Sequence, residues 1–220
     1  MHSIIFAGGT LARGSAVLGA LREYDLVIAA DSGAATALDM GIVPEFVVGD
    51  FDSLPPRVET ELRRRGSQFI TAPAEKNETD TELAIQFALE KTATHITLLG
   101  ALGGQRFEHS LANILLLASF ETIPIQLVDG DSRGWLIRGP GTTQITGQPG
   151  DFCSLFPLTA QANGVRTENL YYPLRGESLF FGKPRGISNV LLTTQASVEI
   201  ADGLLFVVHT TTSSQPTPSE

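Results

Sequence analysis

Leu26-Val27-Ile28-Ala29-Ala30-Asp31 is an unbroken apolar run that ends on a carboxylate. A strand with one solvated face alternates apolar and polar residues. This run does not, so both of its faces are expected to be covered, as in a parallel sheet between helices. The pattern recurs on either side. Ser3–Ala7 reads as a strand closed by Gly8-Gly9, Phe46–Val48 as one ending in Gly49-Asp50-Phe51-Asp52-Ser53, and Ile96–Leu99 as one ending in Gly100-Ala101-Leu102-Gly103-Gly104. Gln68–Thr71 and Pro124–Val128 complete the set, with helices expected over 15–22, 33–40, 55–65, 79–91 and 107–120. Strand and helix alternating through short loops predict a doubly wound α/β domain with a parallel sheet over residues 1–130.

Beyond Gly130 the amphipathic helices stop. Short strands are expected at 135–137, 142–146, 152–156, 178–181, 189–194, 197–200 and 204–208, divided by turn residues such as Gly139-Pro140-Gly141 and Asp202-Gly203. They predict a small domain over 131–210, an all-β sandwich or a barrel. The Thr/Ser/Pro-rich stretch 211–220 is expected to be a flexible tail. Of the 220 residues 42% are hydrophobic, too many for a disordered chain. Against 24 Asp and Glu stand 15 Lys and Arg, a net charge of −9, which argues against a nucleic-acid partner. Cys153 is the one cysteine, and the first residues lack the basic and long apolar regions of a signal peptide, so a reducing, cytoplasmic location is expected. The apolar run Ile114–Phe120 is far short of the ~20 residues that cross a bilayer, so no membrane partner is expected.

In an open parallel sheet, ligands bind beyond the carboxyl ends of the strands. Asp31, the Gly49–Ser53 loop, Asn77–Asp80 and Gly100–His109 all fall there. Asp50 and Asp52, two carboxylates one residue apart after a buried strand, can take two positions around one hard cation, and Mg2+ suits oxygen ligands that leave room for phosphates. Asp31 and Asp80 lie near enough in the pattern to join them. Each acid has a structural alternative: a turn for Asp50 and Asp52, a cap for the following helix at Asp31, and a capping box at Thr79-Asp80-Thr81-Glu82. Gly103 and Gly104 can bring backbone N–H groups to phosphate oxygens, Arg106 can clamp an anion, and His109 can donate to a phosphate or contact a base. A tight turn with a solvated arginine is the alternative there. Together these parts call for magnesium-dependent transfer of a phosphate-containing group from a nucleotide.

Ala29–Ala34, Val48–Ser53, Glu75–Asp80 and Gly100–Asn113, in this order, with Tyr172-Pro173-Leu174 and Gly182–Asn189 in the second half, resemble the motifs of bacterial thiamine pyrophosphokinases across almost the whole chain. The resemblance implies an α/β catalytic domain, a β-sandwich thiamine-binding domain, and a homodimer with sites between subunits. It implies transfer of a diphosphate group from ATP to thiamine, giving thiamine diphosphate and AMP, with Mg2+. Asp50, Asp52 and Asp80 match the acids of the metal–triphosphate site, and Asp31 lies beside it. Lys76, Thr79 and Asp80, with Ser188 and Asn189, match the substrate border. Arg106 and His109 match nucleotide contacts. Glu108 departs from the family, where an Asp commonly precedes this histidine. The competing expectations are a pyrophosphokinase for another alcohol, such as a hydroxymethylpterin, and a non-catalytic nucleotide sensor.

Overall fold

A computed structural model describes residues 1–73, 77–104 and 106–212. The chain divides into two compact units, Met1–Gly130 and Asp131–Glu220. The first runs β1 (His2–Phe6), α1 (Ser15–Ala20), β2 (Leu26–Ala30), α2 (Gly33–Asp39), β3 (Phe46–Gly49), α3 (Pro56–Arg64), β4 (Gln68–Thr71), α4 (Asp80–Glu90), β5 (His95–Leu99), α5 (Phe107–Leu116) and β6 (Ile125–Asp129). Its strands lie in the order β6-β5-β1-β2-β3-β4, and every adjacent pair is parallel. The chain moves outward from β1 to β4, then returns to lay β5 on the other side of β1. Every residue of β2 is buried, as its unbroken apolar run requires. Phe6, Val27, Ala29, Val47 and Leu62 share one core, and α2 and α4 both pack on β1 and β2.

The helix expected over 107–120 ends early. α5 stops at Leu116, and a 3-10 turn, Leu117–Ser119, follows. The tighter winding turns Leu117 into the core, whereas no residue of α5 itself is buried. At α4 the capping expectation holds: Thr79 is the N-cap, and its Oγ1 accepts from the Glu82 amide at 3.2 Å.

The second unit is β-rich: β7 (Ser132–Arg138), β8 (Gly141–Thr146), β9 (Phe152–Pro157), β10 (Gln161–Glu168), β11 (Arg175–Phe180), β12 (Asn189–Val190), β13 (Gln195–Ile200) and β14 (Leu204–Thr210). β12, β9, β14 and β7 lie side by side, and β11-β10-β13-β8 form a second, four-stranded sheet. Ile137, Leu155 and Val207 from the first set meet Ile145, Val165 and Val198 from the second in one core. No strand is expected from the sequence at β10, which carries a bulge: the pairing with β11 shifts register between Ala162 and Val165, and Gly164 takes φ +63°. The strand expected at 189–194 shrinks to Asn189–Val190: Leu191 N still donates to Asp151 O in the register of β9, but Leu191 also bridges Leu170 on its other side, and Leu192 N turns to Asn169 O. Of the expected tail, Thr211 N donates to Asp131 O and Thr212 N to the Asp151 carboxylate. Residues 213–220 lie outside the described residues.

A buried polar cluster ties β14 to the rest of this unit. His209 is 1% exposed and Asp151 fully buried. His209 Nε2 lies 3.0 Å from Asp151 Oδ2, and Arg133 Nε donates to Nδ1 at 3.1 Å. Arginine cannot accept, so Nδ1 is the acceptor and Nε2 carries the proton of a neutral ring. Burial, helped by the Arg133 charge, pushes the His209 pKa down. At Asp151 burial works the other way, but the Gln148 and Thr212 amides and the His209 ring outweigh it and hold the carboxyl below its usual range. Both groups are depressed in the fold, so on acidification the unfolded chain takes up protons first. The histidine's stabilisation is present above about pH 6.5 and is lost as pH falls further; the aspartate's is lost below about pH 4. The melting temperature is expected to drop from about pH 7 to about pH 5, with His209→Asn removing part of that slope. Asp151→Asn is expected to cost roughly 1–3 kcal/mol at neutral pH, read from denaturant titration.

Candidate active site

Parallel pairing of β2 with β3 brings the ends of both strands to one rim. Asp31 follows β2 directly. Its amide donates to Val48 O at 2.9 Å, and its carbonyl accepts from Ala34 N at the start of α2. These bonds fix it at φ +45°, in the left-handed region that Asp tolerates better than most residues. The side chain is 6% exposed, and Oδ1 is buried without a hydrogen-bond partner. The loop after β3 supplies Asp50 and Asp52. Between them Phe51, at φ +66°, packs against the core, leaving the two acids on the rim. Asp52 N donates to Asp50 Oδ1 at 3.3 Å, and Ser53 Oγ donates to Asp52 Oδ1 at 2.8 Å. One carboxylate oxygen each from Asp31, Asp50 and Asp52 can be chosen so that all lie within 4.8 Å of one another.

Asp80, the first residue of α4, is next to this group through Gly49. A Cβ at Gly49 would sit 3.1 Å from Asp31 Cβ and 3.3 Å from Asp80 Oδ1, and its φ of +154° is one that only glycine takes easily. Burial raises the Asp31 pKa, the Ser32 amide partly offsets this, and the charges of Asp80 and Asp52 push it up further. The donors are all hard oxygens, which suits Mg2+ rather than zinc or copper. The unpartnered buried Oδ1 of Asp31 is an acceptor that a water of such a cation, or a substrate hydroxyl beside it, would satisfy. The residues present therefore fit such an ion.

At the switch between β1 and β5, two loops pack together: Gly9 N donates to Gly100 O at 2.8 Å. A Cβ at Gly9 would meet Gly100 O at 2.5 Å, so these backbones meet only because side chains are absent. Gly103 and Gly104 lie beyond, exposed, with positive φ. The Gly103 amide donates to Ser110 Oγ at 3.0 Å, and Asn113 Nδ2 donates to Ala101 O at 2.8 Å. Ser110 and Asn113 thus hold this loop. The sequence shows them only within the family motif, since a polar residue one or two helical turns after a glycine loop carries no signal by itself. Arg106 and His109 are exposed, and Arg106 Nε pairs with Glu108 Oε1 at 2.8 Å. That guanidinium holds the Glu108 carboxyl below its usual range. Thr79 serves as the α4 cap, and Lys76 lies outside the described residues.

In the second unit, Leu155, Tyr172, Pro173, Arg185, Ile187 and Asn189 border a cavity of about 300 Å3. Ser188, exposed and at φ +56°, has its amide on Ser154 Oγ. Asn189 is 6% exposed and turned inward: its Oδ1 accepts from Tyr172 N at 2.9 Å, and its Nδ2 donates to Tyr172 O at 2.8 Å. The Tyr172 side chain is exposed, with its ring edge-on to Tyr171 at 4.8 Å.

Comparison with known proteins accounts for both units. Residues 18–127 match the family described as thiamin pyrophosphokinase, catalytic domain, and residues 142–205 match thiamin pyrophosphokinase, vitamin B1 binding domain. A thiamine pyrophosphokinase of Bacillus subtilis is 31% identical over 210 residues, covering 94% of this chain and 97% of the relative. The crystal structure of the Bacillus subtilis enzyme superposes with a TM-score of 0.85 at 30% identity, covering 96% of this chain and 99% of that one. That of thiamin pyrophosphokinase from Geobacillus thermodenitrificans gives 0.83 at 28% identity, covering 97% and 99%. The class is that of the diphosphokinases, which are transferases. The chain belongs to the thiamine pyrophosphokinase family.

Gly49→Ala is expected to lower pyrophosphokinase turnover by roughly tenfold or more, because the added methyl presses on Asp31 and Asp80. Steady-state kinetics beside a circular dichroism spectrum of unchanged shape checks it.

Proposed function

We propose that this chain transfers the terminal diphosphate of ATP to the hydroxyl of thiamine, releasing AMP. The observation that carries the proposal is the carboxylate group of Asp31, Asp50 and Asp52, with Asp80 against it, in a chain whose two halves match the two parts of that family. Asp50, Asp52 and Asp80 would hold Mg2+, with Asp31 beside them. When bound, the ion would neutralise phosphate charge and polarise the transferred group. The thiamine oxygen forms the new bond to the β-phosphorus, the bridge from the β-phosphorus to the α-phosphate oxygen breaks, and AMP carries that oxygen away. Asp31, whose pKa is raised chiefly by burial, is suited to accept the hydrogen bond, and then the proton, of the attacking hydroxyl. Arg106 would exchange its exposed bond to Glu108 for a phosphate, a change that costs little because a solvated pair is worth about 1 kcal/mol or less. The Gly103-Gly104 backbone and His109 would line the nucleotide.

Thiamine would take the cavity of the second unit. Its aromatic rings suit the exposed Tyr172 ring, which Asn189 holds by its backbone, and its cationic thiazolium suits an aromatic face. Ser188 would border it. We read the first unit as doubly wound: connections that run outward to β4 and then back to β5 place their helices on opposite faces when crossovers are right-handed. The second reads as a sandwich with residues of both sheets in one core. A homodimer is supported by a stripe on α5, Phe107, Leu111 and Leu115, at helical spacing and all exposed. Among the described residues no helix is long and apolar enough to cross a membrane. With the net charge of −9, small-molecule partners and a cytoplasmic location are part of the same reading.

Mixed with Mg-ATP and thiamine, the protein is expected to form AMP and thiamine diphosphate in equal amounts. ATP binding without AMP would replace this reading with a nucleotide sensor, and AMP formed with a hydroxymethylpterin but not with thiamine would move it to that alcohol. Asp50→Asn is expected to reduce turnover by more than roughly tenfold with the fold intact. Tyr172→Ala should raise KM for thiamine roughly three- to tenfold while KM for ATP stays put.

A further inference from the structure

Phe51 is a bulky residue held in the left-handed region, where it has no local reason to be. Its ring meets the Phe69 ring edge to face, with centroids 5.2 Å apart and planes at 72°. Phe69 lies on β4, the strand beside β3. Over the Phe69 ring sits the Arg63 guanidinium of α3, 3.9 Å from the centroid, itself paired with Glu59 at 2.8 Å. Phe51 and Phe69 both pack against the apolar core of the first unit. The loop therefore has two apolar anchors, the buried Leu54 near the start of α3 and Phe51 between the two acids. Because backbone and ring of Phe51 are fixed, the bonds to Asp50 and Asp52 leave it in fixed directions.

We infer that Phe51, seated on Phe69 beneath Arg63, is the positioning residue that aims Asp50 and Asp52 at the cation, an inference that rests on the metal-site reading above. The ring–ring contact offsets the cost of the left-handed backbone, and the cation over Phe69 steadies its seat. Phe51 touches no reacting atom; it acts through its two neighbours.

Glycine at this position separates this role from relief of strain. Phe51→Gly frees the backbone and removes the anchor, whereas Phe51→Tyr keeps the ring. Mn2+ binding to the nucleotide-free protein, followed by the electron paramagnetic resonance of the free ion, reads the site without turnover. Phe51→Gly and Phe69→Leu are expected to weaken Mn2+ binding by roughly tenfold, Phe51→Tyr to restore it to within about twofold, and Arg63→Gln to lie between. Should Phe51→Gly not fold, as circular dichroism would show, Phe69→Leu carries the test. Wild-type Mn2+ affinity in Phe69→Leu or in a folded Phe51→Gly, alongside its loss in Asp50→Asn, would overturn the positioning role and leave the metal site standing. Wild-type affinity in Asp50→Asn would overturn the metal site itself, and the inference with it.

Discussion

Crowding of negative charge is what the first unit is built to sustain. Carboxylate oxygens of Asp31, Asp50 and Asp52 come within 4.8 Å of one another, and Asp80 presses on the same spot. Unit charges about 4 Å apart repel by roughly 1 kcal/mol in water and 4 kcal/mol near a protein surface. Left-handed backbone at Asp31 and Phe51 adds to that, on the order of 1–3 kcal/mol each. Such a rim persists only if its surroundings leave it no alternative. The parallel register of β2 and β3, the Asp31 amide on Val48 O and the buried α2 start hold one side. The anchored Phe51 holds the other. Positive charge among the acids would lower the energy of this arrangement, which is what the proposed cation would supply.

The return of the chain from β4 to β5 makes the second part of the site. Strands β1 and β5 are neighbours whose following loops meet, and Gly9 and Gly100 let the two backbones touch. Sequence reading treats glycines after a strand as amides for phosphate. Here the first demand on Gly9 and Gly100 is packing, and the Gly103 amide already has a partner in Ser110. Both demands select glycine, so the letter alone does not separate them.

Much of this was open to reading because it was local. Unbroken apolar runs gave the parallel strands, and the acids at their ends followed from where such strands terminate. Thr79 at the head of α4 was legible because capping chemistry is confined to one turn. The misses are nonlocal. The bulged strand β10 shows only once β11 is laid beside it. The strand after Asn189 stops where Leu192 turns its amide to Asn169, far off in sequence, away from β9. Phe51 shows in the sequence only as an apolar residue between acids, since the ring it leans on lies one strand away.

Asn189 borders the cavity and is at the same time bound into the fold. A polar side chain in a Ser-Asn pair beside a cavity suggests a direct contact. In the fold, its oxygen accepts from the amides of Tyr172 and Val190, and its amide nitrogen donates to Tyr172 O. These bonds fix the backbone of Tyr172, whose ring is left exposed, and leave one N–H of the carboxamide beyond them. Replacing such an amide leaves buried backbone groups unsatisfied, a penalty larger than the net value of any one of its bonds. Part of the constraint on this position is thus set inside the fold.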